Sequence, residues 1–236
     1  MRSISLVLVV LLFACAQAQT TSETLEKTLA DLDKQIQSDP KAAEAYHERG
    51  CVHFKLARFK ASVRDFDRYI ELKPERKAGH WQRGISYYYA GQYDDGKKQF
   101  EGYQDFDSND VENAVWRFMC MAKAGGIPKA RKDMLKIGND RRVPMRQVYE
   151  MFSGKLSPAD VLAASRGAET GNQGPEAKDR ALFYAHLYVG IYYDLQGDSA
   201  QALLHLTKAV SDYRVGHYMW DVARVQRDVL KGRQAK

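Results

Sequence analysis

The chain has 236 residues, of which 44% are hydrophobic and 11% aromatic, enough apolar material for a sizeable core, and this excludes a disordered chain. Its formal net charge is +6 at pH 7, a mild basic excess that is too small to indicate nucleic-acid binding, so we expect no nucleic-acid partner. Three cysteines are too few for a disulfide framework.

The first predicted element is an export signal over residues 1–18. Arg2 gives a positive start, residues 4–13 form an apolar run too short to span a bilayer, and alanines follow at positions 14, 16 and 18. A signal peptidase recognises small residues of this kind, so we expect cleavage after Ala16 or Ala18. The mature chain is therefore expected to be secreted or periplasmic.

A second processing route starts from the same residues. Leu12 to Cys15 are similar to the lipobox of bacterial lipoproteins, in which the cysteine becomes a lipidated N-terminus. Phe13 is larger than the residue that usually occupies its position. Lipid anchoring at Cys15 is therefore the lesser alternative to removal of the signal.

The body of the chain repeats with a period of 34 residues. A shift of 34 aligns Arg49-Gly50 with Arg83-Gly84, and Pro40 with Pro74. This period and these residue types resemble the tetratricopeptide repeat, in which each unit is a pair of antiparallel helices. The resemblance implies an all-α solenoid of helical hairpins. The large side chains that align in the same way are Phe54 with Tyr88, Phe59 with Tyr93, Phe66 with Phe100, and Tyr69 with Tyr103.

Each unit also has small residues where its two helices are expected to cross. Helices approach closely only where the side chains between them are small. These structural positions of the repeat are Gly50 and Ser62 in the first unit, Gly84 and Gly96 in the second, and Gly190 and Ala202 in a unit near the C-terminus.

Carrying the register along the chain gives the domain organisation. Residues 111–144 keep the helical spacing, but Phe118 replaces the glycine, so we expect a degenerate hairpin there. In the non-repeat insertion that follows, Ser157 and Pro158 predict the start of a short helix. Two subdomains joined within residues 141–175 are the alternative to one continuous repeat domain. The predicted segments are the signal at 1–18, an N-terminal capping helix in 19–42, repeat units one to three at 43–144, a helical insertion and loop at 145–177, and a C-terminal unit with its capping helix at 178–236.

The resemblance implies a binding surface on the concave face, which is lined by the first helix of each unit. This face is aromatic and aliphatic, which suits a protein or peptide segment as the partner. For Tyr88, packing between helices is an equally good interpretation. Cys51 and Ile85 replace the asparagine with which some relatives grip a partner's C-terminal carboxylate, and this disfavours that mode of recognition. The predicted partner-binding residues are Trp81 and Tyr89 first, then Ile85, Tyr88, His47, Tyr184, Leu187 and Ile191.

Candidate chemistry is sparse. Glu44, His47 and Cys51 share a helix face at a spacing that suits zinc, but a structural zinc site needs four ligands and no second pair is present. The sequence has no catalytic triad order, no HExxH stretch and no phosphate-binding glycine loop. His80 and His186 are expected at helix interfaces. We therefore expect no metal, no cofactor and no enzymatic activity.

A basic cluster supports an alternative function. A solvated helix surface is its ordinary interpretation, and binding of an anionic envelope polymer or a membrane surface is the other. The leading interpretation is an exported adaptor that captures a partner segment, similar to bacterial envelope repeat lipoproteins that act as scaffolds. The basic cluster, in which only Asp133 and Asp140 intervene as acids, consists of Lys129, Arg131, Lys132, Lys136, Arg141, Arg142 and Arg146.

Overall fold

The computed structural model describes residues 22–167 and 174–234, so the predicted export signal lies outside the described residues. Every regular element in this part of the chain is a helix. None of these helices is at once long and apolar enough to cross a membrane. They are α1 (22–38), α2 (Ala43–Lys55), α3 (Phe59–Leu72), α4 (Trp81–Tyr89), α5 (Tyr93–Tyr103), α6 (Val111–Gly125), α7 (Ile127–Lys132), α8 (Met145–Phe152), α9 (Pro158–Arg166), α10 (Gly174–Gln196), α11 (Ser199–Ser211) and α12 (Tyr218–Gln234), with a 3-10 turn at Pro74–Arg76.

The helices fall into two compact units, of which the first ends at Pro74 and the second begins at Glu75. The division follows the first predicted repeat and does not lie within residues 141–175. In the first unit, the apolar face of α1 packs against α2 and completes a core. The buried residues of this core are Leu29, Leu32, Ile36, Ala45 and Val52.

Glycine makes the close helix crossing in three repeats. A Cβ atom added to Gly50 would lie 2.7 Å from the Phe66 ring, and one added to Gly84 would lie 2.6 Å from Phe100. At Gly190 the nearest atom is Leu206 Cγ, at 2.7 Å. These distances leave no room for a methyl group, so the first helix of each hairpin needs glycine at this position.

The arginine that precedes the glycine ties helices together. In the first unit, Arg49 donates two hydrogen bonds to Asp65 of α3 and a third to Asp33 of α1. Arg83 donates to Gln99 of α5 at 3.0 Å. A charged group shared by facing helices fixes their register, because the guanidinium donors have a rigid geometry.

The unit at 111–144 departs from a regular repeat, because its second helix has only six residues. Gly126, with φ of 87°, ends α6, and α7 stops after six residues at Lys132. No further helix is present before Met145. The missing packing is supplied by α8, whose Phe152 ring lies 5.4 Å from that of Phe118 on α6.

The remaining helices follow the sequence signals more closely. Ser157 caps α9, and with Asp160 it forms a capping box. Gly197, with φ of 83°, makes the turn between α10 and α11. In contrast, α10 begins at Gly174, well before the predicted start of its repeat at Phe183.

Four helices of the second unit contact one another in a closed circuit. Tyr88 of α4 packs on Trp116 of α6 with ring centres 5.6 Å apart. The Tyr188 hydroxyl of α10 donates to Glu112 of α6 at 2.6 Å. The next two contacts, from α10 to α12 and from α12 back to α4, both involve Gln226, which donates to Asp194 and accepts from the Tyr89 hydroxyl.

The last helix therefore does more than cap the array. Trp81 at the start of α4 meets Tyr218 at the start of α12, with ring centres 5.3 Å apart. Because Tyr89 and Gln226 each lie eight residues further along, α4 and α12 run side by side in the same direction. The inner face of the second unit is closed by α12.

Candidate functional site

A cavity of about 180 Å³ lies between the four inner helices, near the N-terminal ends of α4, α6 and α12 and beside the middle of α10. Each of α4, α6, α10 and α12 contributes to its wall, because the closed circuit brings the first turns of α4, α6 and α12 close to Tyr184 of α10. The cavity is lined by Trp81, Ile85, Phe100, Tyr103, Asp110, Glu112, Asn113, Trp116, Arg142, Tyr184, His217 and Met219.

One wall of the cavity holds the carboxylates of Asp110 and Glu112 around the guanidinium of Arg142, which also binds Asp140 outside the lining. Arg142 donates to Asp110 at 2.6 Å and to Glu112 at 2.8 Å. It also makes three hydrogen bonds with Asp140, at 2.6 to 3.2 Å. The cluster carries more negative than positive charge when its acids are ionised.

Burial changes the acidity of these carboxyl groups. Burial, reinforced by the neighbouring Asp110, raises the pKa of Glu112 to about 7, although Arg142 and the Tyr188 hydroxyl oppose the shift. Burial also raises the pKa of Asp110. For Asp140, burial alone would raise the pKa, but the hydrogen bonds from Arg142 outweigh it and lower the pKa. Glu112 is therefore the carboxyl of this wall that titrates near neutral pH.

Two polar atoms of the lining are left without a partner. The Trp116 indole nitrogen and the Asn113 side-chain oxygen have no hydrogen-bond partner within the described residues. Both residues are deeply buried, with exposed fractions of 2% and 3%. Each of the two atoms has less than 1 Å² of accessible surface, so neither faces the open space of the cavity.

A wider cleft of about 550 Å³ adjoins the cavity and shares Arg142, Tyr184 and His217 with it. It combines three arginines with two acids, whereas the inner cavity has two acids and one arginine. Together the two spaces give a polar entrance and an aromatic, acidic interior. The other residues of the outer cleft are Glu176, Asp179, Arg180, Arg214, Val215 and Gly216.

The predicted partner-binding residues are divided between the cleft and the core. Trp81 is partly exposed at the cavity, where it stacks on His217 with ring centres 6.1 Å apart. Ile85 and Tyr184 also line the cavity, although both are buried. Their placement brings helices α4 and α10 to one site.

The other predicted partner-binding residues lie in the core or in contacts between helices. Tyr88, Leu187 and Ile191 are buried core residues, with exposed fractions of 6%, 0% and 1%. The Tyr89 hydroxyl is used in the closure with Gln226. In the first unit, the ring of His47 packs on Phe66 and Tyr69. None of these five side chains lines the cavity or the outer cleft.

The sequence reasoning missed most of the acidic wall. Glu112, Asn113 and Trp116 belong to the degenerate unit, for which no groove residues were assigned. Arg142 belongs to the basic cluster, and two of its carboxylate partners, Asp110 and Glu112, are about 30 residues away along the chain. The run Asp110 to Trp116, with two acids and a tryptophan in one helical turn and a half, was the available signal.

Part of the basic cluster has local partners, whereas Lys132, Lys136 and Arg141 are exposed. Arg142 is held by its three carboxylates, and Arg146 and Lys129 pair with Glu150 and Asp133. Arg131 is partly buried and donates to the Phe152 carbonyl. These pairings give no support to the alternative of a polymer- or membrane-binding surface.

His186 lies at a helix interface, as expected, whereas His80 caps the start of its own helix. His80 accepts a hydrogen bond from the Arg83 amide at the start of α4. The Nδ1 atoms of His186 and His205 lie 2.9 Å apart between α10 and α11. Within residues 22–167 and 174–234, no three His, Cys, Asp or Glu side chains are grouped as metal ligands.

Comparisons with known proteins agree with this architecture. No protein-family model and no curated protein matches the sequence. Among solved structures, a tetratricopeptide repeat protein from Parabacteroides merdae ATCC 43184 is similar, with a TM-score of 0.50 and 14% identity over 90% of this chain and 80% of that chain. A likeness at this identity shows the fold alone. The chain therefore has the all-α helical-hairpin fold of a tetratricopeptide repeat protein.

Proposed function

We propose that this chain is a non-catalytic scaffold that captures a segment of a partner protein in the cleft of its second unit. The tetratricopeptide fold is consistent with a protein-interaction scaffold. The observation that carries the proposal is the joined cavity and outer cleft, which have a partly exposed Trp81 in the wall. Tryptophans in such positions often dominate binding energy.

The closed circuit of helices limits the size of the bound segment. A long peptide cannot lie along the inner face, because α12 covers it through its contacts with Trp81 and Tyr89. The cleft has room for a few side chains. We therefore expect a short loop or chain end to enter through the outer cleft, near the starts of α4, α6 and α12.

Site-specific cross-linking tests this proposal. A photoreactive amino acid is placed at Val215, which lines the outer cleft, and in a second variant at Leu204, which is 49% exposed and lines neither space. A partner in the native compartment should cross-link from Val215 and not from Leu204. Equal cross-linking from both positions would remove the proposal.

Trp81→Ala in the Val215 variant adds a second test. We expect a loss of about tenfold or more in cross-linking yield, because a well-packed tryptophan contact contributes about 2 kcal/mol or more. Phe106→Ala is the matched control, since Phe106 is a 65% exposed aromatic residue outside the cleft. An equal loss from both substitutions would contradict a specific role for Trp81.

Export is a second part of the proposal, and it is supported by the sequence of residues 1–18 alone. Mass spectrometry of the chain from its native host should show a new N-terminus at Gln17 or Gln19. The lesser alternative predicts a lipidated N-terminus at Cys15, which Cys15→Ser would abolish. An intact Met1 terminus would contradict both routes.

A further inference from the structure

We propose that the outer cleft holds an acidic side chain of the bound segment, with its carboxylate on the guanidinium groups of Arg180 and Arg214. The inference rests on the proposed capture of a partner segment, and it names a residue class that the segment contains. Arg180 comes from the second turn of α10 and Arg214 from the loop between α11 and α12, so two different elements each bring one arginine to the cleft.

The first step is the availability of these two charges. Within residues 22–167 and 174–234, neither Arg180 nor Arg214 forms an ion pair or donates a hydrogen bond. Arg142, the third arginine of the cleft, already donates to three carboxylates. A guanidinium without an acid partner offers several N–H donors in a fixed planar geometry. Arg180 and Arg214 are therefore the groups of the cleft that can receive an anion.

The second step is the position of Arg214. Its guanidinium carbon lies over the Trp220 ring, 5.3 Å from the ring centre, in a cation–π contact. The indole is itself held in place, because its nitrogen donates to the Val210 carbonyl at 3.2 Å. Stacking uses the face of the guanidinium and leaves the N–H donors at its edge free. Arg214 is thus ordered before a ligand arrives, which reduces the entropy lost on binding.

The third step is the charge of the cleft. Glu176 and Asp179 also line it, so the lining holds charges of both signs. At His217, however, the charges that act on the imidazole are those of Arg142 and Arg180, and both lower its pKa in the same direction as burial. This side of the cleft therefore attracts an anion. The two acids limit the charge that it accepts, because they repel a doubly charged phosphate more strongly than a carboxylate.

The fourth step is the depth of the two arginines. Arg180 and Arg214 are exposed residues, so they lie at the mouth of the cleft. A chain end that entered the inner cavity would place its terminal carboxylate beside Asp110 and Glu112, whose guanidinium partner is already occupied. An acidic side chain on the part of the segment that crosses the mouth avoids this position. The anion is therefore the side chain of an aspartate or a glutamate.

An NMR titration of the isotope-labelled chain tests the inference without the partner, with the arginine Nε–Hε signals as the readout. Nα-acetyl-glutamate α-amide is compared with Nα-acetyl-glutamine α-amide, which has the same shape and no charge. We expect the acid to bind at least about tenfold more tightly than the amide, because a carboxylate on a guanidinium makes charge-assisted hydrogen bonds. Nα-acetyl-alanine, whose carboxylate is a chain end, and inorganic phosphate are the comparison anions, and both should bind more weakly than the acid.

Substitutions of single arginines locate the site. Arg180→Gln and Arg214→Gln each remove one charge from the cleft, so each should weaken binding of the acid about fivefold or more. Arg64→Gln is the matched control, because Arg64 is an exposed arginine of the first unit and does not line the cleft. This control should leave the affinity unchanged. Circular dichroism verifies that each variant is folded.

Trp220 is a positioning residue, which acts through Arg214. Trp220→Leu removes the aromatic face under the guanidinium and should weaken binding of the acid several-fold, whereas Trp220→Phe keeps a face and should retain most of the affinity. A purely structural role would lower the melting temperature without changing the preference for the acid over the amide. Equal affinities of the two folded variants would contradict the ordering of Arg214 by the indole.

The outcomes separate this inference from the proposed function. Equal binding of the acid and the amide, tighter binding of acetyl-alanine or phosphate, or unchanged affinity in folded Arg214→Gln overturns the assignment of an acidic side chain. Cross-linking at Val215 that survives such a failure leaves the scaffold proposal standing. Selective binding of the acid without cross-linking at Val215 removes the partner segment and keeps the carboxylate site.

Discussion

His186 and His205 form a buried pair that cannot take up protons freely. Burial, assisted by the charge of His205 and Lys208, lowers the pKa of His186 to about 4, although Asp212 opposes the shift. The pKa of His205 is lowered by burial and by Lys208. Between pH 6.5 and pH 4 the unfolded chain binds protons at these positions that the folded chain does not. The pair therefore destabilises the fold as the pH falls through this range.

A double Phe substitution tests the contribution of this pair. In the variant His186→Phe with His205→Phe, the stacked arrangement with Tyr213 and Tyr193 can persist, but the titration is gone. We expect the variant to lose less stability than the wild type between pH 7.5 and pH 5, by roughly 2 kcal/mol. Urea unfolding at the two pH values measures the difference, and an unchanged pH dependence would contradict the assignment.

Glu112 should change the pH dependence of stability in the opposite direction, and the same urea experiment measures this. Its pKa is raised to about 7, so the folded chain holds a proton that the unfolded chain has released between pH 4.5 and pH 7. This contribution stabilises the fold at low pH and is lost as the pH rises. Glu112→Gln should therefore make the stability loss on acidification larger than in the wild type. The groups facing Glu112 are Asp110, Arg142, Tyr184 and Tyr188.

We expect the same substitution, glycine to alanine, to change stability in opposite directions at two positions of one hairpin. Gly84→Ala would place a methyl carbon 2.6 Å from the Phe100 ring, so it should destabilise the fold by about 1–3 kcal/mol. Gly102 in α5 has no atom within 4 Å of such a carbon, so Gly102→Ala should stabilise the fold by about 0.5–1 kcal/mol. Thermal or urea unfolding compares the two. Equal effects would show that helix propensity, and not the crossing, determines the outcome.

At the scale of elements, the closure of α12 onto α4 depends on one amide. Gln226 is 2% exposed, accepts from the Tyr89 hydroxyl and donates to Asp194. Gln226→Ala would remove one hydrogen bond from each of two buried residues, Tyr89 and Asp194, and should cost about 1–3 kcal/mol. Asp228→Ala is the control on the exposed side of α12 and should change stability by less than about 0.5 kcal/mol. Similar losses in both variants would contradict the importance of the closure.

The same helices show what the sequence could and could not predict. Gly50, Gly84 and Gly190 identified the hairpins because a close crossing depends on residues within one repeat, which a fixed period reveals. The closure by Gln226 joins residues 137 positions apart, and no periodicity encodes that contact. The acidic wall could not be predicted for the same reason, since Arg142 lies in an irregular segment and contacts Asp110 and Glu112 from there. Only Trp81, Ile85 and Tyr184 of the predicted groove line the cavity.

At the scale of the whole molecule, the second unit differs from an open array. In a linear solenoid the terminal helix has a neighbour on one side only and opens first. Here α12 contacts α11 along the chain and also meets α4 and α10 through Trp81, Tyr89 and Asp194. Opening α12 therefore breaks its contacts with both α4 and α10. The helices of the circuit should behave as one cooperative unit.

Native-state hydrogen exchange tests this cooperativity. In the wild type, the core amides of α12 should open with a free energy close to that of α4, since neither helix can leave without breaking their shared contacts. In Gln226→Ala the amides of α12 should exchange at a distinctly lower opening free energy, while those of α6 change less because α6 keeps its contacts with α4 and α10. A wild-type α12 that already opens well before α4 would show that the array behaves linearly, and the cavity between the inner helices would then open with its last helix.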